Sequence, residues 1–226
     1  MARFVRNIKT TTRVIWIAKA VVQKGISFLP FKTHINQFFQ RRGTGAISLD
    51  DQHFGWKIGH AQDHLALWQK HFPNLDRSSA NVLELGTGWY PIVPVYFWLH
   101  GVNSMDSLDL YPWISAEHCQ TTAKKFVEWH SSGQLQPFLG GVDADRWLML
   151  EQAAKTTRSL ESFLSMIGLR ALVGDATSTI AGMHESYEFI CSNNTLEHIL
   201  QAPLEAILER FRTLLSSGGG VPILSI

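Results

Sequence analysis

The feature that most restricts this chain is a recurrence. Five short apolar runs, NVLELG, SMDSLDL, RALVGDA, YEFICSNN and VPILSI, punctuate residues 81–226, and helical stretches separate them. PIVPVYFWLHG reads as a helix opened by Pro91 and closed by Gly101, and LEAILERFRTLLSSGGG as one that ends in glycines. Another helix, from about Gly59 to His71 and closed by Pro73, precedes the first run. Strands that alternate with helices return by crossovers rather than hairpins. The expected product is an α/β fold: a parallel sheet, right-handed connections and helices on both faces.

In such sheets a ligand sits beyond the carboxyl ends of the strands, where the strand order reverses. The chemistry is therefore sought at the strand ends. NVLELGTGWYP breaks at Gly86 and Gly88, where the missing Cβ lets the backbone turn tightly and come close to a ligand. Alone, that is equally an ordinary turn. Its companions add weight. Asp109 ends the second run, 21 residues after Gly88, and one carboxylate suits the paired hydroxyls of a ribose. Asp175 ends the third run, where the carboxylate or the backbone beside it meets a purine amino group. Ser192 and Asn193 end the fourth, with groups that orient a ligand rather than titrate.

The series ELGTGWYP, SLDLYP, LVGDA and ICSNNTLEHI resembles the successive strand-end motifs of class I S-adenosylmethionine-dependent methyltransferases, from Asn81 to the C-terminus. NNTLEHI is similar to that family's segment after the fourth strand. The resemblance implies a Rossmann-like sheet and S-adenosyl-L-methionine as cofactor. It places Glu84 near the methionine part, Gly86, Thr87 and Gly88 beneath the cofactor, and Asp109 with Leu110 at the ribose. Asp175 and Ala176 would flank the adenine, and Ser192 and Asn193 would line the pocket. Where the family carries a third glycine, this chain has Tyr90. Pro91 loses no hydrogen bond in a first helical turn, which leaves Trp89 and Tyr90 to wall the pocket. The family's sheet has seven strands and ends in an antiparallel hairpin, so a sheet truncated after its fifth strand is expected. A nicotinamide-dependent dehydrogenase would want G-x-G-x-x-G/A, and Pro91 stands at the last position.

Methyl transfer needs a base only when the acceptor must lose a proton. The candidates are Glu197 and His198 after the fourth strand, and His64 or His60 on the helix ahead of the glycines. His198 equally begins or continues a helix, with Glu197 in solvent. His53, Trp56, His60, His64, Trp68 and His71 recur every three or four residues. Two readings fit that stripe: the helix packs its aromatic side on the sheet, or it caps the pocket with a histidine facing the acceptor. His60 and His64 have metal-ligand spacing but lack the glutamate of HExxH, and no metal is expected. The acceptor is expected to be a small molecule or a lipid- or glycan-type compound.

Between the second and third runs lie about sixty residues, where a crossover needs only about a dozen. This helical insertion, about 113–169, is expected in two runs, SAEHCQTTAKKFVEWHSSG and ADRWLMLEQAAKTTRSLESFLSMIG. It serves as a lid or substrate wall, or as added core.

Charge divides the chain again. Residues 1–49 hold nine Lys and Arg and no acid, whereas the rest hold eleven against nineteen acids. The expected organisation is a basic amphipathic helical arm, 1–45, ahead of a domain over 46–226. The apolar run Val14–Pro30 is broken by Lys19, Gln23 and Lys24, short of the ~20 residues of a membrane span. Three fates fit it: docking on its own domain, lying on an anionic membrane through residues 1–42, or acting as a transit peptide. Without an aromatic–basic platform, no nucleic-acid partner is expected. The two cysteines, Cys119 and Cys191, form no CxxC, so the expected location is cytoplasmic, with membrane association at the surface as the variant. The alternative to an enzyme is a non-catalytic module of the same fold that binds a membrane or protein partner through the arm.

Overall fold

The computed structural model describes residues 49–156, 158–178, 180–216 and, as backbone, 222–225. The basic arm and its three fates lie outside the described residues. Those that are described belong to one unit, Leu49–Ile226.

Its elements in chain order are α1 (Asp51–His71), β1 (Asn81–Leu85), α2 (Ile92–Leu99), β2 (Ser104–Asp109), α3 (Ala116–Ser131), α4 (Ala144–Lys155), α5 (Leu160–Met166), β3 (Leu169–Val173), β4 (Phe189–Asn193), α6 (Gln201–Leu214) and β5 (Pro222–Ser225). The strands form one parallel sheet in the order β3-β2-β1-β4-β5. The chain builds outward from β1 to β3, then crosses back to lay β4 on the other side of β1. This is a Rossmann-like α/β fold, and its switch point is the crevice between β1 and β4.

The pleat sends alternate residues to opposite faces. Glu84 of β1 is in register with Ser107 of β2 and Cys191 of β4. On that face Val82, Met105 and Phe189 pack under α1 to α5. Trp68 of α1 stacks on Phe189 with ring centroids 4.8 Å apart, and Phe54 meets Phe126 of α3 edge-on at 5.0 Å. On the other face Leu83, Leu85, Leu108 and Ile190 meet Ile207 and Phe211 of α6. All eight residues of α2 are buried, as an all-apolar helix requires.

Two helices differ from expectation. α1 begins eight residues before Gly59, at Asp51, where the Asp50 side chain accepts from the His53 N–H at 2.7 Å. An N-cap aspartate followed by an acidic first turn is a start signal. Gly55 and Gly59 mask it, and packing of Phe54 against α3 overrides their low propensity. The second insertion run is two helices rather than one. The chain turns extended at Thr156 (φ −119°, ψ 134°), and the Ser159 hydroxyl accepts from Ser162 N–H to cap α5. Between β3 and β4 the described residues contain no helix.

One polar cluster ties the sheet together away from its carboxyl edge. Asp106 of β2 is fully buried and takes both guanidinium arms of Arg170 of β3 at 2.6 Å. The Tyr187 hydroxyl donates to the same carboxylate at 2.5 Å.

Candidate functional site

The carboxyl ends of β1, β2 and β4 meet around the glycine loop. Gly86 and Gly88 both have positive φ, +83° and +75°. Gly86 has a second reason to be glycine. A Cβ there would lie 1.8 Å from the Thr195 hydroxyl oxygen, so the loop after β4 occupies the space a side chain would need. Gly88 faces open space, and only its backbone conformation demands the residue type. Its N–H donates to Asp109 Oδ2 at 3.1 Å, which draws the acid at the end of β2 onto the loop at the end of β1.

Beneath the loop lies a buried polar network. Glu84, fully buried, accepts from the Thr87 hydroxyl on one oxygen and from the Asn193 amide at 3.3 Å on the other. The Ser107 hydroxyl donates to Thr87 Oγ1 at 2.7 Å. Asn193 Oδ1 in turn lies 2.9 Å from His64 Nε2 of α1. Lys57, two helical turns before His64 and therefore on the same side of α1, is also buried and donates to the Thr87 carbonyl at 3.3 Å.

Charge in this network is strained by dryness. Burial pushes the Glu84 carboxyl up, while the Lys57 charge and the bonds from Thr87 and Asn193 pull it down. Burial also raises Asp109, to about 7; the Gly88 N–H opposes that rise and the neighbouring Glu84 charge adds to it. Burial holds His64 below the usual imidazole range, against the bond to Asn193.

Of the residues singled out in the sequence, Glu84, Gly86, Thr87, Gly88, Asp109, Asn193 and His64 fall into this one connected site. Asp175 is exposed beside it: Gly174 N–H donates to the Asp109 carbonyl at 2.9 Å, and Asp175 Oδ1 accepts from both the N–H and the hydroxyl of Thr177. Ala176 is buried under the second face and Leu110 is 60% exposed at the rim. Ser192 points to the face opposite Glu84, and its hydroxyl donates to the Leu85 carbonyl at 3.0 Å. Glu197 and His198 stand on a 3₁₀ turn, Leu196–His198, with Glu197 Oε1 3.9 Å from His198 Nε2 and the His198 side chain 77% exposed.

The His/Trp stripe of α1 does not act as one face. The buried face is Phe54, Lys57, Ile58, Ala61, His64, Leu65 and Trp68, while Trp56 and His71 are exposed. Lys57 is not among the residues expected from the sequence. Its signal was a lysine at the i, i+7 position of the face that holds Ala61 and His64. Trp89 and Tyr90 reach the insertion: Trp89 packs on Trp113 at 4.5 Å and on His118 at 5.1 Å, and Tyr90 also meets His118 at 5.1 Å.

No protein-family model matches the chain. No curated protein matches it either. Solved structures do resemble it at low identity. The rRNA methyltransferase aviRa from Streptomyces viridochromogenes is 10% identical, with 74% of this chain and 72% of that one covered and a TM-score of 0.44. The magnesium protoporphyrin IX methyltransferase from Synechocystis, with bound SAH, is 13% identical over 87% and 68%, with a TM-score of 0.42. An S-adenosylmethionine-dependent methyltransferase from Thiobacillus denitrificans, in complex with S-adenosyl-L-homocysteine, is 11% identical over 73% and 47%, with a TM-score of 0.39. The chain spans 42% and 50% of the length of two further matched structures.

Proposed function

We propose that this protein binds S-adenosyl-L-methionine at the carboxyl edge of its sheet and transfers the methyl group to a small-molecule or lipid- or glycan-type acceptor. The observation that carries the reading is the Asp109–Gly88 contact at 3.1 Å. A partly buried carboxylate at the end of β2 leans over a glycine loop at the end of β1, and burial has raised it toward neutrality.

The residues present fit such a cofactor. Asp109 offers two acceptor oxygens to a ribose diol, and an ionised carboxylate is better stabilised when hydroxyl donors join the backbone N–H groups of Gly88 and Thr87. The open side of Gly88 leaves room for a ligand against the loop. Leu110 at the rim and the Asp175–Ala176 backbone supply the flank for a base. Lys57 and Glu84 set the charge below the loop. When bound, the cofactor supplies an electrophilic methyl on a sulfonium; the protein's work is to orient the acceptor and exclude water.

Isothermal titration of the full chain with S-adenosylmethionine tests the reading. Wild type is expected to bind it. Asp109→Ala, which forfeits two hydrogen bonds to a charged group, is expected to bind about 100-fold more weakly. No binding by a folded wild type would remove the reading.

A further inference from the structure

Of the four base candidates, Glu197 and His198 are exposed, His60 is half-buried and only His64 is buried. We propose that His64 Nδ1 accepts the proton of the methyl acceptor, and that Asn193 is the positioning residue that holds the ring in the required tautomer. The proposal rests on the methyl-transfer reading above.

An ionised carboxylate only accepts, and both oxygens of Glu84 are met by donors, the Thr87 hydroxyl and the Asn193 amide nitrogen. With its amide nitrogen committed to Glu84, Asn193 turns its carbonyl oxygen to His64 Nε2 at 2.9 Å. An amide oxygen only accepts, so Nε2 carries the hydrogen. A neutral ring with its hydrogen on Nε2 keeps a lone pair on Nδ1. His64 is 1% exposed, and Nδ1 has no hydrogen-bond partner among the described residues. Among the described residues Trp68 Nε1 and His100 Nε2 are buried without a partner too, but of these nitrogens only those of His64 belong to a ring bonded to the strand-end network, where a ligand could bring the missing donor. Burial keeps the ring in its neutral, accepting form.

Place supports the same role. Asn193 is the last residue of β4, next to β1 in the sheet, so His64 is tethered at the switch-point crevice, whereas Asp109 lies on the β2 side. The charged and titratable groups around the ring are His60 and Asp63 on its own helix and Glu84 through Asn193.

The implied acceptor is a small molecule that presents a neutral O–H or N–H. Its proton passes to Nδ1. The electron pair left on oxygen or nitrogen forms the new bond to the methyl carbon, and the carbon–sulfur bonding pair stays on sulfur. The imidazolium then loses its proton to solvent as the product leaves. A thioether or an already ionised acceptor would have no use for this nitrogen.

Ring-nitrogen NMR on the ¹⁵N-histidine-labelled full chain, saturated with S-adenosylhomocysteine, tests the proposal. The probes are phenol, which carries the proton, and anisole, which does not. His64 is expected to show hydrogen on Nε2 and a bare Nδ1, and phenol but not anisole is expected to move the Nδ1 resonance upfield. Asn193→Leu is expected to mix the two tautomers. A protonated Nδ1, or one indifferent to phenol, overturns the proton-acceptor role while the bound S-adenosylhomocysteine leaves the methyl-transfer reading standing. An unchanged tautomer in Asn193→Leu overturns the part given to Asn193. Failure of S-adenosylhomocysteine to bind wild type counts against the methyl-transfer reading itself, and the proposal falls with it.

Discussion

Asp106 and Asp109 stand three residues apart on β2, on opposite faces of the sheet, and have opposite surroundings. Asp106 is sealed by three short bonds, two from Arg170 and one from Tyr187. Asp109 takes only backbone donors, the Gly88 N–H at 3.1 Å and, more weakly, the Thr87 N–H, and its carboxyl is pushed up to about 7. Asp106 is fully buried and Asp109 partly so. One is fully supplied with donors from its own chain, and a ligand could add nothing to it. The other is only partly buried and has backbone donors alone, which leaves acceptor capacity for something external. The contrast separates the part of β2 that holds the fold from the part that serves the site.

The hardest blow to that separation would come from swapping the outcomes. Asp106→Ala leaves Tyr187 and Arg170 without their acceptor and is expected to cost about 3 kcal/mol in urea unfolding, the low end for a broken buried pair because Arg170 is half exposed. Asp109→Asn is expected to leave stability at pH 8 intact or improved, and to lower S-adenosylmethionine affinity. If Asp109→Asn unfolds the protein and Asp106→Ala spares it, the assignment of roles is reversed.

A pH series sharpens the same contrast. Folding raises Asp109 from an unfolded value of about 3.9 to about 7. Between those values the folded state holds the extra proton, so its contribution to stability falls as pH rises across this window. A ligand that needs the ionised form should then bind up to about tenfold more tightly per pH unit below 7 and level off above it. Asp109→Asn is expected to flatten the affinity profile. Glu84, raised in the same direction, keeps part of the stability slope.

A further pair of variants distinguishes the two glycines. Gly86→Ala meets both a positive φ and the Thr195 hydroxyl at 1.8 Å, and is expected to cost about 3 kcal/mol. Gly88→Ala meets only the positive φ and is expected to cost about 1 kcal/mol. Equal costs in chemical denaturation would mean that Thr195 yields, and that the contact between the two loops is soft.

The legible part of this protein was periodic. The runs of β1, β2 and β4 announce themselves because strands covered on both faces are largely apolar, whereas β3, at the sheet edge, is exposed along much of its length. Asp109 and the glycines were readable because their positions follow from where such strands stop. Lys57 was not readable in the same way. A lysine on a helix reads as solvated until the fold shows that its helix lies over a buried glutamate. Ser192 misled for the converse reason. Its place at a strand end suggested the pocket, but the pleat turns it to the Leu85 carbonyl on the far face. Glu197 and His198 drew attention through a motif resemblance, and a short 3₁₀ turn leaves both side chains at the surface or close to it.

By itself, the sequence determined that a parallel sheet forms and which strand ends carry acids and glycines. Those follow from local periodicity and from backbone conformations that few residue types adopt. Only the tertiary structure decided which polar groups share a hydrogen bond. That Asn193 bridges Glu84 to His64 across 129 residues depends on how α1 settles over the sheet, and no local preference encodes it.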